Sequence, residues 1–137
     1  MLFRLRRVLK PGGLFCKIFM DWLPYEDEVI EEMESLVLKY NPDWKGYGFK
    51  KFRYAYPSWA EGRFDIETIH SYDTALEFTK EAWIGRVKSC RGVGASLSEK
   101  EIGEFEAEYR DLLKKYSEPL LLKHQVHIEI YRSTKID

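Results

Sequence analysis

The sequence predicts an α/β fold in which three strands are flanked by helices, and three segments carry that expectation. Residues 14–20, Leu-Phe-Cys-Lys-Ile-Phe-Met, are an apolar run of strand length with Lys17 as its single charge. A strand covered on both faces reads this way. Residues 98–101, Ser-Glu-Lys-Glu, form a capping box, and Ile102, Phe105, Tyr109, Leu112, Leu113 and Tyr116 follow at steps of three and four. That stripe marks an amphipathic helix with its start signal in place. Residues 122–131 alternate, with Val126, Ile128 and Ile130 on one side and Gln125, His127, Glu129 and Tyr131 on the other. Alternation of this kind is the signature of a strand.

The remaining elements fall between these. Leu2, Leu5, Val8 and Leu9 share near-helical spacing with arginines between them, and Pro11-Gly12-Gly13 ends the segment. Asp21 to Tyr25 reads as a loop after the first strand. Glu26 to Tyr40 reads as a helix carrying Val29, Met33, Leu36, Val37 and Tyr40 on one face, with acids in its first turns where the helix dipole favours them. Asn41-Pro42-Asp43 closes it. Residues 44–63 interleave aromatic residues with lysines, arginines and glycines, and read as an irregular flap or insertion. Phe64, Ile66, Thr68 and Ile69 mark a second strand over 64–72. Thr79 then caps a short helix with Trp83, Ile84 and Val87 on one side, which runs into a glycine-containing turn at Cys90–Ala95.

Composition narrows the function classes. The 137 residues fit one domain, 1–137, and a net charge of −1 gives no global pull towards nucleic acid or an anionic membrane. Arg4, Arg6 and Arg7 ahead of Leu14–Met20 superficially suggest a signal peptide. Lys10-Pro11-Gly12-Gly13 and Lys17 interrupt that pattern, and the run is too short to span a bilayer. Two isolated cysteines, Cys16 and Cys90, make no disulfide framework, so the expected setting is the cytoplasm.

Two stretches resemble class I S-adenosylmethionine-dependent methyltransferases. Arg7-Val8-Leu9-Lys10-Pro11-Gly12-Gly13 followed by Leu14–Met20 is similar to the turn that leads into the family's fifth strand. Phe78 to Arg86, with Trp83-Ile84-Gly85-Arg86, and then Cys90 to Ser98, with Arg91-Gly92-Val93-Gly94-Ala95-Ser96, resemble the segment between the last two strands in one branch of the family. The resemblance covers essentially the whole chain. It implies the C-terminal half of a Rossmann-like methyltransferase fold, with a three-stranded mixed sheet whose last strand inserts between the other two and runs antiparallel to them. The family's glycine-rich turn and ribose-binding acid precede the matched region and have no counterpart here. The chain therefore reads as a truncated C-terminal portion, inactive alone, with S-adenosylmethionine the cofactor of the intact family and none expected in this chain by itself.

The resemblance puts Trp83, Arg86 and Arg91 on the acceptor side, where arginine can grip a carboxylate or phosphate and tryptophan can wall an apolar acceptor. Asp21 and Trp22 join them because ligands gather beyond the carboxyl ends of strands in open α/β sheets. The plainer alternatives make Trp83 a core residue, let the arginines tie down the Gly92–Ala95 turn, and leave Asp21 a solvated loop acid. No catalytic base and no metal site is expected: His124 and His127 fall on opposite faces, and His127 with Glu129 supplies only two ligands. The interleaved basic and aromatic residues of 44–63 are the one feature suited to a nucleic acid, against the neutral overall charge. Two partners are expected: a separately encoded cofactor-binding half, or a second copy of the chain pairing along the 14–20 strand edge. In the second case the chain is a non-catalytic dimerisation or ligand-binding module.

Overall fold

The computed structural model describes residues 5 and 7–134. Leu2, Arg4 and Arg6 of the amphipathic opening lie outside the described residues, while Leu5, Arg7 and Val8 are helical. Six longer elements follow: β1 Leu14–Trp22, α1 Glu28–Tyr40, β2 Phe64–Phe78, α2 Lys80–Lys88, α3 Glu99–Leu112 and β3 Leu120–Ser133.

The three strands form one sheet in the order β1-β3-β2, so the last strand lies between the other two as expected. The amide of Ser133 bonds the carbonyl of Gly13 at 2.9 Å, and that of Leu23 bonds Lys123 at 2.9 Å. Residue numbers that rise on β1 as they fall on β3 make this pair antiparallel. Thr134 bonds Arg63 at 3.0 Å and Gln125 bonds Asp73 at 3.2 Å, so the numbers again rise on one strand as they fall on the other and β3 and β2 are antiparallel too. The expected mixed sheet is corrected: β1 and β2 never meet, so no parallel ladder forms and every neighbouring pair is antiparallel. Boundaries shift as well. β2 continues to Phe78 because Thr74, Leu76 and Phe78 turn inward while Ala75 and Glu77 stay exposed. Asp21 and Trp22 belong to β1 rather than to a loop, and a 3₁₀ turn at Pro24–Glu26 takes the place of the first helical residues.

The chain divides into two compact units: residues 21–50 with 74–124, and residues 1–20 with 51–73 and 125–137. The first holds the three helices. Asp27 caps α1, its Oδ1 accepting from the amides of Val29 and Ile30, while its Oδ2 accepts from Lys123 at 2.9 Å. One carboxylate thus starts the helix and ties it to β3. The apolar stripe of α1 then meets Trp83, Ile84 and Val87 of α2, Phe105 and Tyr109 of α3, and Leu120 and Leu122 of β3. Ser98 and Glu101 complete the capping box of α3. The turn between α2 and α3 is glycine-bound by space rather than by torsion, for neither Gly92 nor Gly94 has positive φ. A Cβ on Gly94 would stand 2.3 Å from the Lys88 carbonyl oxygen, and one on Gly92 would stand 2.9 Å from the Trp44 ring.

The second unit is built around the other ends of the strands. Phe64, Tyr131 and Ala60 are buried together, with Leu5, Leu9, Phe15 and Trp59 packed against them. The segment over 51–63 has a 3₁₀ turn at Ser58–Ala60 as its regular element, in keeping with the irregular flap read from its sequence. The Tyr56 hydroxyl donates to the Phe64 carbonyl at 2.6 Å, and Gly62, at φ 65°, permits the turn into β2.

Candidate functional site

Four of the five residues singled out from the sequence converge within the helical unit. β1 delivers Asp21 and Trp22 at its carboxyl end, and α2 delivers Trp83 and Arg86 one turn apart. Trp83 is fully buried, its indole N–H donating to the Tyr109 hydroxyl at 2.6 Å. Trp22 meets it edge to face, with ring centroids 5.8 Å apart and planes at 81°. The guanidinium of Arg86 lies 5.6 Å over the Trp22 ring, a cation–π contact. Trp83 is therefore core, as the plainer reading had it, and it shapes the wall against which Trp22 and Arg86 stand.

Two further residues belong to this cluster, and the sequence reading missed both roles. Glu34, buried on α1, accepts from the Trp22 indole N–H at 2.8 Å and from the Gly48 amide at 2.8 Å. It fixes the Trp22 ring and the start of the aromatic segment with one carboxylate. Burial raises its pKa against the pull of the Gly48 and Trp22 donors, and the Asp21 charge raises it further. His124 is fully buried beside Phe78 and Trp83. Its Nδ1 lies 2.8 Å from the Leu122 carbonyl, which can only accept, so Nδ1 carries the proton and Nε2 is the acceptor. Burial also depresses its pKa, with the Arg86 charge adding to the effect, so the ring stays neutral.

Two buried polar atoms here have no hydrogen-bond partner: the Nε–H donor of Arg86 and the Nε2 acceptor of His124. Leaving such groups unpaired costs about 1–3 kcal/mol each. Beside them Asp21 has its carboxyl raised by burial, in spite of the Trp22 amide bonded to it at 3.0 Å and the charge of Arg86. The arrangement offers one donor and one acceptor beside a half-buried acid and an aromatic wall.

Arg91 lies elsewhere. It is exposed and lines a cavity of about 470 Å³ with Asn41, Asp43, Trp44, Lys45, Gly46 and Ser96. Its carbonyl accepts from the Ser96 hydroxyl at 2.6 Å, which holds the turn. Among the described residues no group of three or more His, Cys, Asp or Glu side chains is arranged to hold a metal ion. No described helix is long and apolar enough to cross a membrane.

The buried histidine gives the cluster a pH signature. Because its folded pKa lies below its ordinary 6.5, the unfolded chain takes up the proton first. Its contribution to stability is present above about pH 6.5 and is lost as pH falls through the window beneath it. The raised Asp21 and Glu34 act in the opposite sense, losing stability as pH rises through the window above their ordinary values. Wild-type protein is expected to lose more melting temperature between about pH 7.5 and 5.5 than a His124→Phe variant; equal losses would contradict the assignment. No family model, curated protein or solved structure matches this chain, so its function is read from its own residues.

Proposed function

We propose that this chain is the C-terminal portion of a class I S-adenosylmethionine-dependent methyltransferase acting on a small acceptor that bears a hydroxyl. The observation that carries the reading is the strand order β1-β3-β2, with an antiparallel last strand inserted between its two predecessors. The resemblance of the Pro11-Gly12-Gly13 turn and of the Trp83–Ser98 region implies that same order. Asp21, Trp22, Trp83 and Arg86 then form the acceptor side at the carboxyl end of β1. An acceptor hydroxyl takes the Arg86 Nε–H and gives its proton to His124 Nε2. Arg86 and Trp22 orient the oxygen, and the aromatic wall excludes water, so positioning supplies most of the rate. Arg91 lies on a separate cavity and is given no part in this reading.

S-adenosylmethionine, when bound, supplies the methyl group on its sulfonium. No residue of this chain is assigned to hold it, since neither a glycine-rich turn after a strand nor a ribose-binding acid occurs in the sequence. The reading gives that task to a further segment or a separate chain. Isothermal titration of the isolated chain with S-adenosylmethionine should show no saturable micromolar binding. The coding DNA immediately upstream should encode a strand, a glycine-rich turn and an acid-ended strand. Expressed together with that segment, the chain should transfer labelled methyl groups to a hydroxyl acceptor, and Arg86→Ala should slow transfer by roughly 10- to 100-fold. Micromolar binding by the chain alone would contradict the reading, and upstream DNA without such a frame would leave a separate chain as the source of the cofactor-binding half.

A second reading, a dimerisation module, is favoured by the surface of β1. Leu14, Ile18 and Met20 are 53%, 63% and 45% exposed, and β1 is an edge strand. An apolar edge guarded by one lysine pairs readily with a copy of itself across a two-fold axis. Sedimentation at low micromolar concentration should give a dimer that Ile18→Lys converts to monomer; a clean 16.3 kDa monomer of the unmodified chain would defeat it.

A further inference from the structure

A second polar constellation sits in the other unit. Ser71 of β2 is exposed, and its Oγ lies 2.5 Å from Nδ1 of His127 on β3. The other ring nitrogen of His127, Nε2, lies 3.0 Å from Oε1 of Glu129. Both His127 and Glu129 are almost completely buried, at 3% and 2% exposure. The ring of Phe52 stacks on the imidazole with centroids 3.7 Å apart and planes at 28°. Phe52 is itself pinned by its amide, which donates to the Gln125 side chain at 2.7 Å.

The protons in this row can be placed by elimination. Oε2 of Glu129 accepts from the Tyr131 hydroxyl at 2.5 Å and from Lys17 at 3.3 Å. Burial would raise this carboxyl, but the Tyr131, His127 and Lys17 donors together hold it below the ordinary glutamate value. Glu129 is thus a carboxylate and only accepts, so His127 Nε2 carries the ring proton. Nδ1 is then a lone-pair acceptor aimed at the Ser71 hydroxyl. A nucleophile in reach of a base, and a base held in one tautomer by a third group, is the arrangement that activates serine in hydrolysis. The arrangement is recognised by these roles, and here the imidazole presents Nδ1 to the serine and Nε2 to the acid.

We propose that Ser71, His127 and Glu129 form a nucleophile relay that takes acyl groups from activated esters onto Ser71. The Ser71 oxygen bonds to the acyl carbon while its proton passes to His127 Nδ1. The bond from that carbon to the leaving oxygen then breaks, and the leaving alcohol takes the proton from Nδ1. Water then bonds to the acyl carbon as its proton passes to His127 Nδ1, the bond from that carbon to the Ser71 oxygen breaks, and the serine oxygen takes the proton back from Nδ1 as the carboxylic acid leaves. Ser71 and His127 touch the reacting atoms and are the catalytic residues; Glu129 is a positioning residue, and Phe52 shields the imidazole from solvent.

A fluorophosphonate probe tests the relay directly, because it forms an oxygen–phosphorus bond with an activated serine and loses fluoride. Incubated with the full chain and mapped by peptide mass spectrometry, it should label Ser71, and Ser71→Ala should abolish that adduct. His127→Gln should slow labelling about 100-fold or more, the scale of a lost general base. The charged group bonded to His127 is Glu129, which also holds Lys17; on β2, two residues beyond Ser71, Asp73 is paired with Lys51 of the preceding segment. Removing the Glu129 charge in Glu129→Gln should therefore move the inflection of the labelling pH profile to lower pH, which a merely structural role would not do. If circular dichroism shows that His127→Gln does not fold, p-nitrophenyl acetate hydrolysis decides instead, with Ser71→Ala expected to lose the catalysed rate. Absence of a Ser71 adduct on wild-type protein, wild-type labelling by a folded His127→Gln, or unchanged hydrolysis by Ser71→Ala would overturn the proposal.

Discussion

β3 pairs on both sides, between β1 and β2, and much of its polar complement is buried. His124, Gln125, His127, Glu129 and Ser133 are all buried along it. Buried polar groups must find partners or carry a desolvation penalty. Gln125 bonds the Phe52 amide and Asp73, and Glu129 collects Lys17, His127 and Tyr131. His124 is satisfied at one nitrogen only. The buried polar groups of the central strand thus mark a polar cluster in each unit.

The helical unit shows how that demand becomes a site. The carboxyl end of β1 brings Asp21 and Trp22 beside α2, and Glu34 on α1 holds the indole in place. Packing of Trp83 against Trp22 and Tyr109 leaves Arg86 as the group that reaches over the aromatic wall. Its unpaired Nε–H and the unpaired His124 Nε2 are an expense that a well-packed core would avoid, and local rules tend to be broken where a protein does its work. The ion pairs on the surface of the helices, such as Arg110 with Glu81 and Glu106, add little by comparison.

Much of this was legible from the sequence where periodicity and caps speak. The capping box at Ser98 and Glu101, the Thr79 cap and the alternation of the last strand correspond to observed elements. The extension of β2 to Phe78 was hidden because Asp73 and Glu77 look like loop residues, although Thr74, Leu76 and Phe78 keep the alternation. The caps also set limits: Asp27 rather than the preceding residue starts α1, since its side chain can reach two free amides. The roles of Glu34 and His124 depend on long-range partners that no local pattern encodes. Ser71 and His127, 56 positions apart, meet only because β2 and β3 are neighbours. The alternation did place His127 and Glu129 on one face, which was the single available signal for that cluster.

The claim on which the account rests is that β3 is the doubly paired strand around which both units are organised. Native-state hydrogen exchange measures this residue by residue, since amides bonded on a central strand open only with the whole structure. The amides of β3 from Leu122 to Tyr131 are expected to exchange most slowly in the chain, with free energies equal to that of global unfolding. Those of β1 and β2 that point away from β3 should exchange faster. Amides of β3 that exchange as fast as those of the β2 edge would contradict the account.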